Sequence, residues 1–287
     1  MTETPLDPRL HAFRYDLADA RLRGLVDAFH FADGEELVVR DAVVDMRTQP
    51  TPRAGLGTQL LHGDRVRMFQ ADEGWAWVQA ERDGYVGYVA QRALDKPSGT
   101  ATGTHRIAAA RTFVFDEPDF KRPAADCLSM GSLVSVLETV ENRHVAYARL
   151  DDDHYCPARH VRPVGDHAPD FVTAAETLLR TPYLWGGTSA FGIDCSGLVQ
   201  LAMLMAGRAV PRDSDMQETQ LGEPVDPANG LQRGDLVFWA GHVGIMRNAD
   251  TLLHANADAM AVSSEPLGDA IDRIAALYGN PTSHRRP

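Results

Sequence analysis

Cysteine is scarce in this chain: Cys127, Cys156 and Cys195 are all that 287 residues contain. An odd number without paired spacing argues against a disulfide framework and for a reducing compartment with at least one free thiol. Positive charge is also in deficit. Lys and Arg number 28 against 40 Asp and Glu, a formal net charge of −12, so the chain lacks the electrostatic footprint of a protein that grips phosphate backbones, and no nucleic-acid partner is expected. Long apolar runs are missing as well. The most apolar stretch, Leu198 to Ala206, falls short of the roughly 20 residues a membrane-crossing helix needs, so no membrane partner is expected. The start, Met1-Thr2-Glu3-Thr4-Pro5-Leu6-Asp7, shows neither the basic residues nor the apolar run of a secretory signal, which makes the cytoplasm the expected location.

What is present reads as globular. Hydrophobic residues make up 44% and charged residues 24%, ordinary values for packed domains. Four segments are expected. Residues 1–35 form a lead-in, helical or extended, with Leu10, Phe13, Leu17 and Ala20 at loose helical spacing. Residues 36–96 carry short β-type runs, such as Leu37-Val38-Val39, Trp75-Ala76-Trp77-Val78 and Tyr85-Val86-Gly87-Tyr88-Val89, separated by turn residues. A weaker copy follows over 103–165, where Leu128-Ser129-Met130-Gly131-Ser132-Leu133-Val134 repeats the pattern of Leu60-Leu61-His62-Gly63-Asp64-Arg65-Val66. The two are joined by the linker-like Lys96-Pro97-Ser98-Gly99-Thr100. Residues 168–287 read as an α+β domain. Phe171 to Leu179 has helical spacing, a second helix begins near Asp194 or Cys195 and stops at Gly207, and Leu236–Ala240, His242–Met246 and Thr251–Ala255 form an antiparallel meander.

Cys195 is the residue with chemistry in its setting. A thiol at a helix N-terminus meets unpaired N–H groups and the positive end of the helix dipole, which lowers a thiol pKa. Gly192-Ile193-Asp194-Cys195-Ser196-Gly197 surrounds it with small and polar residues rather than the apolar neighbours of a structural cysteine. A thiolate needs a base, and His242 opens a strand between Gly241 and Gly244. His254, on the next strand, can orient the His242 ring through its second nitrogen. His154, Cys156 and His160 lack a fourth ligand at set spacing, so no metal site is expected, and Trp185-Gly186-Gly187 has no Gly-Lys-Ser/Thr after it to make a phosphate cradle.

Pro182-Tyr183-Leu184-Trp185-Gly186-Gly187, Asp194-Cys195-Ser196-Gly197-Leu198-Val199, Arg212-Asp213-Ser214, Arg233-Gly234-Asp235-Leu236-Val237-Phe238 and His242-Val243-Gly244-Ile245, in that order, resemble the NlpC/P60 family of papain-like cysteine peptidases. The runs ahead of them, particularly Gly84 to Tyr88, resemble bacterial SH3-like modules. The combined architecture is similar to that of γ-D-glutamyl-L-diamino-acid endopeptidases. The resemblance implies Cys195 as nucleophile, His242 as general base then acid, His254 as the orienting third residue, and Tyr183 as an oxyanion donor beside the Cys195 backbone N–H. It implies Trp185, Asp194, Ser196 and Ser214 in the substrate pocket, and Asp64, Tyr85 and Asp213 around a free peptide N-terminus. A glutamate usually stands at the place of Asp64. The structural reading of the same pair is a turn aspartate after Gly63 and a barrel tyrosine.

The implied activity is hydrolysis of the γ-D-Glu to diaminopimelate (or Lys) bond of L-Ala-γ-D-Glu-containing muropeptides during recycling, without a cofactor. Two rivals share parts of this sequence: an amidase or acyltransferase using the same Cys-His pair, and a silent wall-binding protein carried by the SH3-like modules.

Overall fold

The computed structural model describes residues 5–97 and 103–287, so Met1–Thr4 of the lead-in and Ser98-Gly99-Thr100 of the expected linker lie outside the described residues. The chain divides into two compact units. The first comprises Met1–His105, Phe113–Leu128 and Ser132–Ala158; the second comprises Arg106–Thr112, Ser129–Gly131 and Arg159–Pro287.

Of the two forms open to the lead-in, the first unit shows the extended one: β1 (Leu17–Asp19) pairs in parallel with β2 (His30–Ala32). Gly24, at φ +85°, and Gly34, at φ +77°, take the left-handed backbone that turns the chain on either side of β2. A seven-stranded sheet follows. Its strands are β3 (Glu35–Val39), β4 (Val43–Arg47), β5 (Leu56–Leu61), β6 (Arg65–Asp72), β7 (Trp75–Ala80), β8 (Val86–Ala90) and β9 (Leu94–Asp95), in the order β5-β4-β8-β7-β6-β3-β9. Alternation along these strands turns Leu37, Val39, Val44, Met46, Val66, Val78 and Val89 into one buried cluster. Each such side chain contributes about 1.5–3 kcal/mol on burial. Further along, β10 (Val136–Asn142), β11 (Val145–Leu150) and β12 (Tyr155–Pro157) run as an antiparallel meander.

The second unit sets helices against an antiparallel sheet. Helix α1 (Phe171–Glu176) starts at Asp170, whose carboxylate accepts from the Thr173 N–H, and packs on α2 (Cys195–Met205). Nearly every residue of α2 is buried, and the chain leaves it through Gly207 at φ +76°. After α3 (Ser214–Gln220) comes a six-stranded sheet made of β13 (Glu223–Pro224), β14 (Leu236–Trp239), β15 (His242–Met246), β16 (Thr251–Asn256), β17 (Ala261–Pro266) and β18 (Ser283–Arg286), in the order β13-β18-β14-β15-β16-β17. Helix α4 (Leu267–Tyr278) connects β17 to β18. Asp235, buried, grips Arg286 of β18 through two bonds of 2.7 Å and so ties the last strand to the turn before β14.

Candidate active site

Cys195 is the first residue of α2, and the segment before it holds it there from three sides. Asp194 caps the helix, its Oδ1 accepting from the Gly197 N–H at 2.7 Å, while its Oδ2 accepts from the Gly186 N–H at 2.9 Å. Arg212, 1% exposed, closes a fork on the same carboxylate at 3.1 and 2.7 Å and donates to Ser196 Oγ at 2.8 Å. Gly197 has no room for a side chain, since a Cβ there would sit 2.3 Å from the Gly187 carbonyl oxygen. The Asp-Cys-Ser-Gly run is therefore a packing requirement: the loop that carries Tyr183 and Trp185 crosses the helix start at backbone distance. That loop is pinned by Leu184 N–H to the Ile193 carbonyl (3.1 Å) and Tyr183 N–H to the Met260 carbonyl (2.9 Å).

Helix α2 packs on β15, whose first residue is His242. Trp239 and His242 face each other across a two-residue turn that ends in Gly241 at φ +78°, a left-handed backbone that favours glycine. The Val243 backbone N–H is close enough to pull on the Cys195 thiol, which puts the sulfur near the start of the His242 strand. The register Ile245↔Leu253 and Met246↔Leu252 then sets His254 next to His242 on the neighbouring strand, with His242 Nε2 2.9 Å from His254 Nδ1. The rings meet at 61° with centroids 5.1 Å apart, and the Trp239 ring centroid lies 5.6 Å from that of His242.

The chain extends further than the sequence reading carried it. His254 Nε2 lies 2.7 Å from Glu265 Oε1, and Arg273 of α4 donates to the same oxygen. Neither Glu265 nor Arg273 belongs to the motifs singled out above. The signal that finds Glu265 is period-2 geometry: with His254 opposite Ser263 in β17, Glu265 falls two residues on, on the same face.

The expected lowering of the Cys195 pKa is overturned. Burial pushes the thiol up to about 12, and Asp194 adds to the rise, against the pull of the Val243 N–H, Arg212 and the Ser196 N–H. The helix start was visible in the sequence; its depth was not, and desolvation outweighs the dipole. Burial likewise drives His242 down to about 3, helped by His254 and Arg273, and His254 down to about 4. The resting site is neutral thiol and neutral imidazole. Each shift reflects one lone charge in a dry site; moving the proton from Sγ to His242 makes two opposite charges together, and their attraction offsets much of that cost. Tyr183 is pushed up to about 12 by burial, then by Cys195 and Asp194, so its hydroxyl stays a donor near the thiol.

The histidine shifts carry a stability signature. At pH 7 both imidazoles are neutral in the native and unfolded states, but below about 6.5 the unfolded chain binds protons that the native site refuses until about 3 or 4. Stability therefore falls as the pH drops through that window, by up to about 1.4 kcal/mol per pH unit for each histidine. His160 and His284, also lowered by burial, act with the same sign. Urea unfolding is expected to show a lower midpoint at pH 5 than at pH 7; equal midpoints would contradict neutral burial.

The other pocket residues divide by unit. In the second, Asp194 and Ser196 are buried and bonded to Arg212, Trp185 is 69% exposed, and Asp213 and Ser214 stand at the start of α3. Gln217 of that helix donates to the Ser196 carbonyl at 3.0 Å, tying α3 to α2. Asp64 and Tyr85 belong to the first unit. Asp64 is buried, and its Oδ2 accepts both the Leu61 N–H and Arg82 Nη1 at 2.9 Å; Oδ1 carries neither bond. Tyr85 is buried at the end of the tight turn closed by its N–H to Asp83 Oδ1 at 3.0 Å.

Residues 46–94 match the bacterial dipeptidyl-peptidase Sh3 domain and residues 180–272 match the NlpC/P60 family. In the order and spacing of its motifs and in the geometry of its site, the chain is thus similar to NlpC/P60 proteins that carry an SH3-like domain ahead of the NlpC/P60 domain. A probable endopeptidase of Corynebacterium glutamicum is 40% identical over 113 residues, 38% of this chain and 52% of that protein. Dipeptidyl-peptidase 6 of Lysinibacillus sphaericus is 27% identical over 239 residues, 76% of this chain and 87% of that protein. A gamma-D-glutamyl-L-lysine dipeptidyl-peptidase of Bacillus cereus is 27% identical, covering 66% of this chain and 61% of its own. This chain thus spans about half of the first relative and most of the second. The crystal structure of an NlpC/P60 family protein from Bacillus cereus shares the fold, with a TM-score of 0.73 at 19% identity over 88% of this chain and 99% of that one. Among the described residues no helix is long and apolar enough to cross a membrane.

Proposed function

We propose that this chain is a cysteine peptidase that hydrolyses the γ-D-Glu to diaminopimelate (or Lys) bond of muropeptides bearing a free N-terminal L-Ala. The observation that carries the chemistry is the thiol at the start of α2, a helix packed on the strand that opens with His242, itself 2.9 Å from His254. His242 takes the thiol proton as Cys195 attacks the γ-carbonyl, and the tetrahedral oxyanion forms at the helix start. There the first N–H groups have no helical partner and the Tyr183 hydroxyl stands as a second donor, each such donor contributing about 3 kcal/mol. His242 then protonates the leaving amine, and water, activated by the same ring, cleaves the thioester.

The substrate class rests on the relatives' names: one is a dipeptidyl-peptidase and another a gamma-D-glutamyl-L-lysine dipeptidyl-peptidase. An enzyme of that kind counts two residues from a free amine. An L-Ala amine is free only once its amide to the wall sugar has been cut, so the reaction follows an amidase-type step and belongs to recycling. Within this reading Asp213 and Ser214 border the pocket from α3, Trp185 from the exposed loop, and Asp194 and Ser196 support it through Arg212. The modules extend over 36–96 and 103–165, the peptidase domain over 168–287.

The test compares L-Ala-γ-D-Glu-diaminopimelate with its N-acetylated form. Acetylation removes the positive charge that a site for a free amine receives and adds bulk there, and kcat/KM is expected to fall about a hundredfold or more. Mass spectrometry should show release of L-Ala-D-Glu. Equal cleavage of the two peptides would remove the free-amine reading; cleavage at another bond would remove the substrate.

A further inference from the structure

A neutral imidazole carries one N–H and one lone pair, so a line of hydrogen-bonded histidines has a direction. Here the direction is fixed at its far end. Glu265 Oε1, which already accepts from Arg273, has no proton to give, so the 2.7 Å contact with His254 requires the His254 proton on Nε2. His254 Nδ1 is then an acceptor, and the 2.9 Å contact with His242 Nε2 requires that His242 donate. His242 has spent its one proton, and its Nδ1 keeps a lone pair.

We propose that Glu265, anchored by Arg273, is a positioning residue that sets the tautomers of both histidines and so leaves His242 Nδ1 as the atom that takes the Cys195 proton. The opposite direction is equally well bonded between the two rings: His254 Nδ1–H donating to His242 Nε2, with the His242 proton on Nδ1. In that arrangement the nitrogen offered to the thiol is a donor, and the S–H proton has no acceptor. Only the acceptor at the end of the line distinguishes the two. In the productive direction the S–H bond breaks, the Nδ1–H bond forms, and His242 Nε2–H goes on donating to a neutral His254. No proton moves along the line. Glu265 touches neither substrate nor sulfur, and its place on the strand follows from pairing, Leu252 opposite Glu265 and His254 opposite Ser263.

The inference rests on the reading of Cys195 and His242 as nucleophile and base, and its test is separable from that reading. In the full chain labelled with ring-15N histidine, NMR at pH 7 should show both His242 and His254 as Nε2–H tautomers with a lone-pair-type Nδ1, the His242 signals being those lost in His242→Ala. Glu265→Ala should mix the tautomers and lower kcat on the order of a hundredfold with KM within about twofold. Glu265→Gln, presenting an amide oxygen to the same donors, should restore the tautomers and most of kcat. A purely structural role would lower stability and leave the tautomers alone. A His242 Nδ1–H tautomer in the unmodified protein, or unchanged tautomers and kcat in Glu265→Ala, would overturn the proposal. Should that variant not fold, the unmodified spectrum and Glu265→Gln decide. The expected tautomers in a protein that cleaves no peptide would instead count against the proposed function.

Discussion

Cys195→Ala should lower kcat/KM by about 10^4-fold or more, because it deletes the only atom able to hold the acyl group while what remains of the site can merely bind and polarise. The fold should survive. Alanine is well tolerated at a helix start, the substitution removes a single sulfur, and Asp194, which caps α2, keeps its bonds to Gly186, Gly197 and Arg212. Thermal unfolding within a few degrees of the unmodified protein, together with product below detection by mass spectrometry, is the expected pair of results. Residual hydrolysis well above background would end the nucleophile assignment. His242→Ala should be nearly as severe, whereas His254→Ala should be milder, since water can take part of an orienting role. The reverse order would mean that the two histidines had been assigned each other's work.

Much of this site could be read from the chain because its signals are local. A cysteine flanked by small and polar residues, with a strongly apolar run of helical length starting just after it, specifies a thiol on a helix start. Two histidines in consecutive strands separated by a short turn specify neighbours, since strand pairing puts them on one face. What was hidden depends on depth and on a third strand. The thiol and imidazole shifts come from burial under the sheet and the crossing loop, which no spacing reports. Glu265 sits in Ser263-Ser264-Glu265-Pro266, a segment without apolar alternation to mark it as a strand, and Arg273 reaches it from a helix that follows. The lead-in was left open between helix and extended chain by its sequence. Spacing at Leu10, Phe13, Leu17 and Ala20 is too loose to decide, and the pairing of Leu17 with His30 on a second strand, which no local spacing reports, settles it as extended.

Arg212→Ala should cost about 3–5 kcal/mol, because it leaves the Asp194 carboxylate in a dry site with its opposite charge gone. Arg212 is 1% exposed and supplies three bonds, two to Asp194 and one to Ser196 Oγ. After the change Asp194 retains the Gly186 and Gly197 N–H groups, which satisfy its oxygens but do not neutralise it. For a domain of this size the loss corresponds to a fall in Tm on the order of 10 °C, measurable by calorimetry. Arg212→Lys keeps the charge but not the fork, and should fall between. The decisive comparison is a double variant, Arg212→Met with Asp194→Asn, which removes both charges at once. If the penalty is the orphaned carboxylate, the double variant should recover a substantial part of what Arg212→Ala loses; if the guanidinium matters only by filling space, Arg212→Met alone should recover as much. A loss below about 1 kcal/mol in Arg212→Ala would show that the ion pair does not hold the start of α2, and with it the position of Cys195, in place.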